Sequence, residues 1–200
     1  MQLGVRLLGV DQARARLAEV GRQVEPVIRG TLNTTATQAR AQVYVRPLLG
    51  AFPKRKFLND RMKIKRANRD RMNARIIPSS SGVAVTQYRS WSFEVINATR
   101  ARIFVVGPNG KKVAAGFVNP SSPGRMPLAT RSERARNITS RSKNPQIKSY
   151  RYALQLQEAM GPSIAYWFKR LTDSKAIRWT NIFMRQEFER RIRREIAKYS

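Results

Sequence analysis

Residues 102–113 read RIFVVGPNGKKV, and this stretch decides the fold class. Four of its first five residues, 103–106, are β-branched or aromatic, which is typical of a strand. The turn PNGK at 108–111 favours a hairpin because Asn-Gly tolerates positive φ, and KKVAAGFV at 111–118 returns as the partner strand. Alternating apolar residues begin at residue 82, so the pattern predicts an antiparallel sheet of three or four strands over 82–118.

Helical patterns precede this sheet. Residues 2–8 alternate as a short strand would, and Asp11 is a suitable N-cap for a helix over about 12–23. Pro26 fits the first turn of a second helix over about 26–46, in which apolar residues recur at three- and four-residue steps.

A basic segment, KRKFLNDRMKIKRANRDRMNARI at 54–76, lies between these helices and the sheet. Ten of its 23 positions are Lys or Arg and two are Asp. It is free of Gly and Pro and rich in helix formers, and Phe57, Leu58, Met62 and Ile64 form an apolar line. We therefore predict a basic helix over 54–66 and the start of a strand at 73–77.

The region after the sheet changes composition. Pro, Ser, Gly, Asn and Arg dominate residues 119–149, which predicts a long basic arm or loop. A strand or short helix is expected at 149–160, a helix from Pro162 to Leu171, and a last helix over about 175–199 capped by Ser174. An apolar stripe runs along that last helix at four-residue steps: Met184, Phe188, Ile192 and Ile196.

The chain as a whole is strongly basic. Forty Lys and Arg oppose twelve Asp and Glu, a net charge of +28 over 200 residues. Like charges at this density repel each other, and a polyanion or an acidic protein would relieve the repulsion. A basic run is ordinarily a solvated face, but this excess favours contact with phosphates, which releases counterions and is independent of sequence.

Several classes of site are excluded or unsupported. The chain has no Cys and no His, so it has no disulfides, no zinc site built on these residues and no Ser-His-Asp or Cys-His catalysis. It also has no P-loop. We therefore expect no enzyme activity, and no catalytic, metal-binding or cofactor-binding residues, cofactor or small-molecule substrate.

A membrane association is not expected either. No apolar run approaches the roughly 18–20 residues that span a bilayer, and the N-terminus lacks the pattern of a signal peptide. The basic C-terminal stretch RRIRREIAK at 190–198 is amphipathic and is compatible with an acidic membrane surface. Three glutamates dilute its polar face, so packing of its apolar stripe is the favoured interpretation.

Candidate contact residues follow from charge and aromatic content. Tyr88, Trp91 and Phe93, near Arg89, have two interpretations, stacking on bases or packing in a core, and their alternating spacing favours the core. The candidates for facing DNA or a partner are Lys54, Arg55, Lys56, Arg61, Lys63, Lys65, Arg66, Arg131, Arg134, Arg136, Arg141 and Lys143. The candidates for packing or an interface are Trp179, Phe183, Phe188, Ile192 and Ile196.

The order of these parts resembles a known family. The stretches TLNTTATQAR at 31–40, RKFLNDRMKIKRA at 55–67 and AAGFV at 114–118, in this order, are similar to the minor tail protein Z family of tail completion proteins from long-tailed, lambda-like phages. One departure is that residues 88–98 are mostly aromatic and neutral here, where the lambda-like member carries a polybasic run.

The resemblance implies a structural role in the virion, after assembly in the host cytoplasm. Such proteins form a homo-oligomeric ring, which we expect to be sixfold, at the head-proximal end of the tail. The implied partners are the tail terminator, the head–tail connector and the genomic DNA in the channel. The alternative, which depends on charge alone, is a monomeric, sequence-independent nucleic-acid-binding protein of the ribosome- or nucleoid-associated type.

Together these patterns predict an α+β fold in a single domain over 1–200. It would contain two N-terminal helices and a basic helix, a small antiparallel sheet with an Asn-Gly hairpin, and C-terminal helices.

Overall fold

The computed structural model describes residues 10–19, 24–97, 100–119, 124–131 and 155–198. They fall into two compact units. The first holds the described residues of Met1–Pro47, Lys56–Ser79 and Phe168–Ser200, and the second holds those of Leu48–Arg55 and Ser80–Trp167. Helices and antiparallel strands are both present, so the predicted α+β class is confirmed. The single domain over 1–200 stays a prediction.

The N-terminal helices lie close to their predicted positions. Helix α1 spans Val10–Glu19, so Asp11 lies inside its first turn and is not its cap. Helix α2 spans Glu25–Ala39 with Pro26 in its first turn, as predicted. The predicted strand at 2–8 and residues 20–23 lie outside the described residues.

The helical backbone continues beyond α2. A π-helical segment spans Arg40–Val45, where the backbone N–H of Arg46 donates to the carbonyl of Ala41, and α3 follows at Arg46–Leu48. Pro47, which follows the predicted end of the second helix at about 46, therefore lies inside a helix. Because proline has no N–H, a helix that contains it loses a hydrogen bond, and the widened turn lies directly before it.

The predicted basic helix over 54–66 is wrong beyond residue 60. Helix α4 spans only Arg55–Asp60, and strand β1 follows at Met62–Lys65. It pairs antiparallel with β2 at Arg75–Pro78, which confirms the strand expected near 73–77. Burial along β1 alternates, with Met62 buried, Ile64 half-buried and the two lysines exposed, and this two-residue period belongs to a strand.

The second unit contains the predicted sheet. Strand β3 at Val83–Ala84 leads through a 3-10 turn at Val85–Gln87 to the three-stranded antiparallel sheet. Its strands, in the order β4–β5–β6, are Trp91–Asn97, Arg100–Gly107 and Gly110–Val113.

The hairpin between β5 and β6 is confirmed, with a refinement of its turn. Gly107 pairs with Gly110, so Pro108 and Asn109 are the two turn residues. Gly110 has φ = +94°, which is the left-handed conformation that the sequence predicts near Asn-Gly.

Three further strands complete this unit. Strand β7 spans Leu128–Arg131 and pairs antiparallel with β8 at Gln155–Glu158, and β9 at Met160–Gly161 pairs with β3. The expectation of an arm or loop over 119–149 is therefore wrong at β7, where a strand partner distant in sequence supplies the hydrogen bonds. For residues 149–160, the strand alternative is correct at β8 and β9, and residues 132–154 lie outside the described residues.

Gly116 marks a close approach within the same unit. Its φ is +152°, and a Cβ atom there would lie 2.5 Å from the carbonyl oxygen of Leu128 and 2.6 Å from Cβ of Ala159. Phe117 next to it exchanges backbone hydrogen bonds of 2.7 and 2.9 Å with Leu128. The AAGFV stretch therefore needs glycine at this position.

The two C-terminal helices are also confirmed. Helix α5 spans Ile164–Leu171 and buries Trp167 and Phe168 completely, and α6 spans Ser174–Ile196. The cap of α6 is Asp173 and not Ser174, since the carboxylate of Asp173 accepts a 2.8 Å hydrogen bond from the N–H of Ala176. Both residue types cap well, and the extended backbone of Asp173 (φ −100°, ψ −179°) decides between them.

Candidate nucleic-acid interface

The basic segment forms a hairpin whose two faces differ. In the antiparallel register Met62 pairs with Pro78 and Ile64 with Ile76, and this apolar set faces inward with Met62 and Ile76 at most 2% exposed. On the other face Lys63 and Lys65 are exposed. We call β1, β2 and their connecting loop, residues 62–78, the basic hairpin.

Like charges meet across the two strands. Lys65 is the direct cross-strand partner of Arg75. Directly opposed like charges destabilise a strand pair, and a bound anion would relieve the repulsion. This face of the hairpin is therefore better suited to an anionic ligand than to open solvent.

The connecting loop adds more positive charge. Arg66, Arg69 and Arg71 are all exposed, whereas Ala67 and Ala74 are buried at its two ends. The loop is closed by a 3.0 Å hydrogen bond from the N–H of Asn68 to the carbonyl of Arg71. Over residues 62–78 there are six Lys or Arg and one acid, Asp70, a net charge of 6 − 1 = +5.

Helix α2 and the π-helical segment that continues it anchor the basic hairpin at one point each. The side chain of Asn33 accepts a 2.7 Å hydrogen bond from the N–H of Ala67 and donates one of 3.1 Å to the carbonyl of the same residue. The guanidinium of Arg40 donates to the carbonyl of Met62 at 3.2 Å. The backbone that bears the exposed cations is therefore fixed by hydrogen bonds from Asn33 and Arg40.

The other candidates near this segment have different environments. Lys54, Arg55 and Lys56 are exposed at the start of α4. Arg61 is half-buried, and its guanidinium carbon lies 5.2 Å from the centroid of the Phe57 ring, a cation–π contact. Arg61 is therefore a packing residue as well as a charge.

The remaining basic candidates lie largely outside the described residues. Arg131 ends strand β7, but its side chain is not described. Arg134, Arg136, Arg141 and Lys143 lie in the range 132–154, so their role as contacts stays a prediction.

Two of the three acidic residues of α6, Glu187 and Glu189, are paired with arginines. Glu187 is 6% exposed, and its two oxygens accept hydrogen bonds of 2.7–2.8 Å from Arg190 and one of 2.7 Å from Arg191. Arg191 also donates to the hydroxyl of Thr34 on α2 at 2.9 Å. We call Glu187, Arg190, Arg191 and Thr34 the α2–α6 ion cluster.

The cluster determines the ionisation of its carboxylate. The hydrogen bonds from Arg190 lower the pKa of Glu187, burial opposes this by raising it, and the bond from Arg191 lowers it again, for a net lowering. Glu187 is therefore a charged structural residue that holds α6 against α2.

The apolar stripe of α6 is only half buried. Met184 and Phe188 are 4% and 7% exposed, but Ile192 and Ile196 are half-buried. A four-residue step on an α-helix overshoots a full turn by about 40°, so the stripe rotates by about 120° from its first to its last member. The prediction of a packed stripe therefore holds for its first two residues and weakens beyond them.

The two aromatic candidates of α6 form a pair at the side of the helix. The rings of Trp179 and Phe183 are stacked, with centroids 5.3 Å apart and planes inclined by 10°, and both are half-buried.

The aromatic residues of the second unit are mainly structural. Tyr88 is 4% exposed, its hydroxyl donates to the carbonyl of Pro162 at 2.6 Å, and it accepts from the indole of Trp167 at 3.1 Å. Burial raises the pKa of Tyr88 to about 12. Trp91 and Phe93 are half-buried on β4, so core packing is confirmed for Tyr88 and only in part for these two.

Some residues of the candidate site were not predicted from the sequence. Arg69 and Arg71 were counted in the basic segment but were not selected as contacts, and Asn33 was not selected at all. The alternation of Met62, Lys63, Ile64 and Lys65 was the available signal for a hairpin, which would have made 66–74 its exposed loop.

Comparison of the chain with protein-family models, with curated proteins and with solved structures finds no match. In the part of the chain that the structure describes, no helix has the length and apolar character needed to cross a membrane. Within the same ranges, no three residues among His, Cys, Asp and Glu are grouped so as to hold a metal ion.

Proposed function

We propose that this chain is a non-enzymatic tail completion, or neck, protein of a long-tailed phage. It forms a ring at the head-proximal end of the tail, joins the tail to the head–tail connector, and contacts the genomic DNA through the basic hairpin. In the virion its neighbours are the tail terminator and the connector. The proposed DNA contact depends on one observation: the basic hairpin has a single acid and five exposed cations, Lys63, Lys65, Arg66, Arg69 and Arg71.

The chemistry of the basic hairpin supports backbone contact without sequence reading. Lysine and arginine neutralise phosphates and release counterions, which gives affinity that is independent of sequence and sensitive to salt. The hydrogen bonds from Asn33 and Arg40 fix the backbone of the basic hairpin, which supports a fixed position for these charges. Two of the three stretches that resemble the tail completion family, 31–40 and 55–67, contain Asn33, Arg40 and Ala67, the residues of these anchors.

The non-enzymatic part of the proposal is supported by residue types. Without His and Cys the chain must use acids, lysines or tyrosines for proton transfer. The buried acid of α6, Glu187, is held by two arginines and is a poor proton acceptor because its pKa is lowered.

The DNA contact is tested by salt-dependent binding to a 20-base-pair duplex. A variant with Lys63, Lys65, Arg69 and Arg71 all changed to Gln should bind more weakly, and the slope of log affinity against log salt should fall by about 3 to 4 because each phosphate contact contributes about 0.9. The matched control changes Lys175, Arg178, Arg185 and Arg193, four exposed cations of α6, to Gln. Equal slopes for the two variants would show that net charge, and not the basic hairpin, determines binding.

The neck role is tested on particles. Virions assembled without the protein should show heads and tails that are not joined, and electron microscopy should place it in a ring at the neck. Normal, infectious, joined particles would contradict the proposal. The alternative, a monomeric nucleic-acid-binding protein, is favoured by the same exposed cations; it predicts tight, salt-dependent binding by a chain that sediments as a monomer with and without DNA.

A further inference from the structure

Helix α6 has an outer face that combines apolar and basic residues. Ile182 is 51% exposed there. The residues three and four positions away surround it on the helix surface: Arg178, Trp179, Arg185 and Gln186. The opposite side of α6 buries Ala176, Thr180, Met184 and Glu187.

An aromatic platform adjoins Ile182. Trp179 precedes it by one helical turn and stacks on Phe183 at 5.3 Å. Both rings are half-buried, so each is partly packed against the fold and partly exposed. Rigid aromatic side chains beside an exposed aliphatic one are the composition found at the centre of protein interfaces.

Charged residues surround this apolar centre. Lys175, Arg178, Arg185 and Arg193 are exposed on this side of α6, and Glu189 is paired with Arg185 at 3.0 Å. The net positive charge favours an acidic ligand. A second copy of the same face would bring like charges together, so self-association through this face is disfavoured.

The apolar centre of this face favours a protein ligand over a nucleic acid. Ile182 offers nothing to a phosphate, and the carboxylate of Glu189 repels one, whereas a protein surface can cover the isoleucine and the rings while its carboxylates meet the arginines. The spacing 179, 182, 183, 186 places this centre along about two turns of a helix, which suits packing by a second helix.

We infer that the outer face of α6 docks an acidic amphipathic helix of a partner protein. Ile182 and the Trp179–Phe183 pair contact its apolar stripe, and Lys175, Arg178 and Arg185 contact its carboxylates. Docking at α6 does not require DNA binding at the basic hairpin, so the two proposals fail separately.

The test uses the full chain and a synthetic probe. The probe is a fluorescent 20-residue helical peptide with Leu on one face and Glu on the others, and its control is a scrambled peptide of the same composition. Binding is followed by fluorescence anisotropy in 0.2 M KCl, so that general charge attraction is screened over about 7 Å. The amphipathic peptide should bind at least tenfold more tightly than the scrambled one.

A matched pair of variants locates the site. Ile182→Ser should weaken binding of the amphipathic peptide about tenfold, the effect of removing a central apolar contact. Ile177→Ser removes an isoleucine that is 45% exposed on a different side of α6, and it should leave binding unchanged. Thermal unfolding followed by circular dichroism checks that both variants fold.

Three results would overturn the inference. The first is equal binding of the scrambled and amphipathic peptides, and the second is an equal loss in the two serine variants. The third is loss of binding to duplex DNA or to anionic phospholipid vesicles in Ile182→Ser with no loss for the peptide, which would assign the face to a nucleic acid or a membrane surface.

Discussion

The basic hairpin and helix α6 carry similar excess charge and use it differently. Residues 62–78 have six cations and one acid, and residues 174–196 have seven cations and three acids, so the net charges are 6 − 1 = +5 and 7 − 3 = +4. On α6 each acid pairs with a cation three or four positions away, Glu187 and Glu189 with arginines and Glu195 with Lys198. On the strands of the basic hairpin there is no acid at all, and Lys65 faces Arg75.

This difference shows that net charge alone does not indicate whether a charged residue stabilises the fold or is available to a ligand. The charges of the α2–α6 ion cluster hold two helices together, so removing one should reduce the stability of the fold. The charges of the basic hairpin repel each other, so removing one should leave stability unchanged or raise it while reducing affinity for a polyanion. Four changes test this contrast, in decreasing order of expected effect.

The largest effect is expected for Glu187→Gln. The amide cannot balance Arg190 and Arg191, and because the carboxylate is buried while both guanidinium groups are partly exposed, loss of these charged hydrogen bonds costs about 2–3 kcal/mol. The change should lower the free energy of unfolding measured with urea by about that amount. Glu189→Gln, at an exposed ion pair, is the control and should cost less than about 1 kcal/mol. Similar losses in both variants would contradict the structural role of the cluster.

The stability difference between wild type and Glu187→Gln should depend on pH. The pKa of Glu187 is lower in the folded chain than in the unfolded one, so its contribution is present above the unfolded value of about 4.3 and is lost as the pH falls through the folded value. The stability difference between wild type and Glu187→Gln should therefore narrow below about pH 4. A stability difference that stays constant from pH 7 to pH 3 would contradict the lowered pKa of Glu187.

The next effect concerns the anchor of the basic hairpin. Asn33→Ala leaves the buried N–H and C=O of Ala67 without their partner, which costs about 1–2 kcal/mol. Amide hydrogen exchange should accelerate in the basic hairpin more than in α6. Asn68→Ala, at an exposed loop residue, is the control, and equal acceleration in both variants would show that Asn33 is not the anchor.

A smaller coupling is expected between Gly30 and Arg191. A Cβ atom on Gly30 would clash with the Arg191 guanidinium, so Gly30→Ala should displace this side chain from the ion cluster. In an Arg191→Ala background the same change should stabilise α2 by about 0.5–1 kcal/mol, because alanine is the better helix former. A double-mutant cycle from urea unfolding should give a coupling of about 1 kcal/mol, and additive effects would contradict the contact.

The smallest change in stability is expected for Lys65→Glu. Its sign tests directly whether the charges of the basic hairpin, unlike those of α6, do not stabilise the fold. It replaces the like-charge pair with Arg75 by an opposite pair, which should stabilise the fold by about 0.5 kcal/mol while weakening DNA binding. Lys63→Glu makes the same change of charge opposite Ile77, so it should weaken DNA binding equally without the gain in stability. A stability loss in Lys65→Glu would show that Lys65 has a structural role.

Local patterns were sufficient where both halves of an element lie close in sequence. The hairpin around Gly110 and the three-stranded sheet followed from alternation and turn residues alone. Met62 was ambiguous because it lies four residues after Leu58 and two residues before Ile64, spacings that fit a helix and a strand. The strand forms because Ile76 and Pro78 supply partners, and a local pattern does not contain that information.

The candidate site was predictable in charge but not in geometry. The basic segment was identified from Lys and Arg content, but a helix over 54–66 would have dispersed the side chains of 63 and 65 that a strand places on one face. The anchor at Asn33 joins residues 34 positions apart, which no helical or strand period indicates. Ile182 lies outside the four-residue stripe of α6, so its exposure became visible only from the burial of the folded chain.

The placement of two tryptophans gives the chain its own optical reporters. Trp167 is completely buried in the second unit, with its indole donating to Tyr88, so its emission should be blue-shifted and insensitive to ligands. Trp179 is half-buried against Phe183 on the outer face of α6. Trp91 is also half-buried, so the measurement uses a Trp91→Phe background. Quenching by acrylamide should then resolve a shielded and an accessible indole, and a helix docked on α6 should protect the second while the first serves as an internal reference.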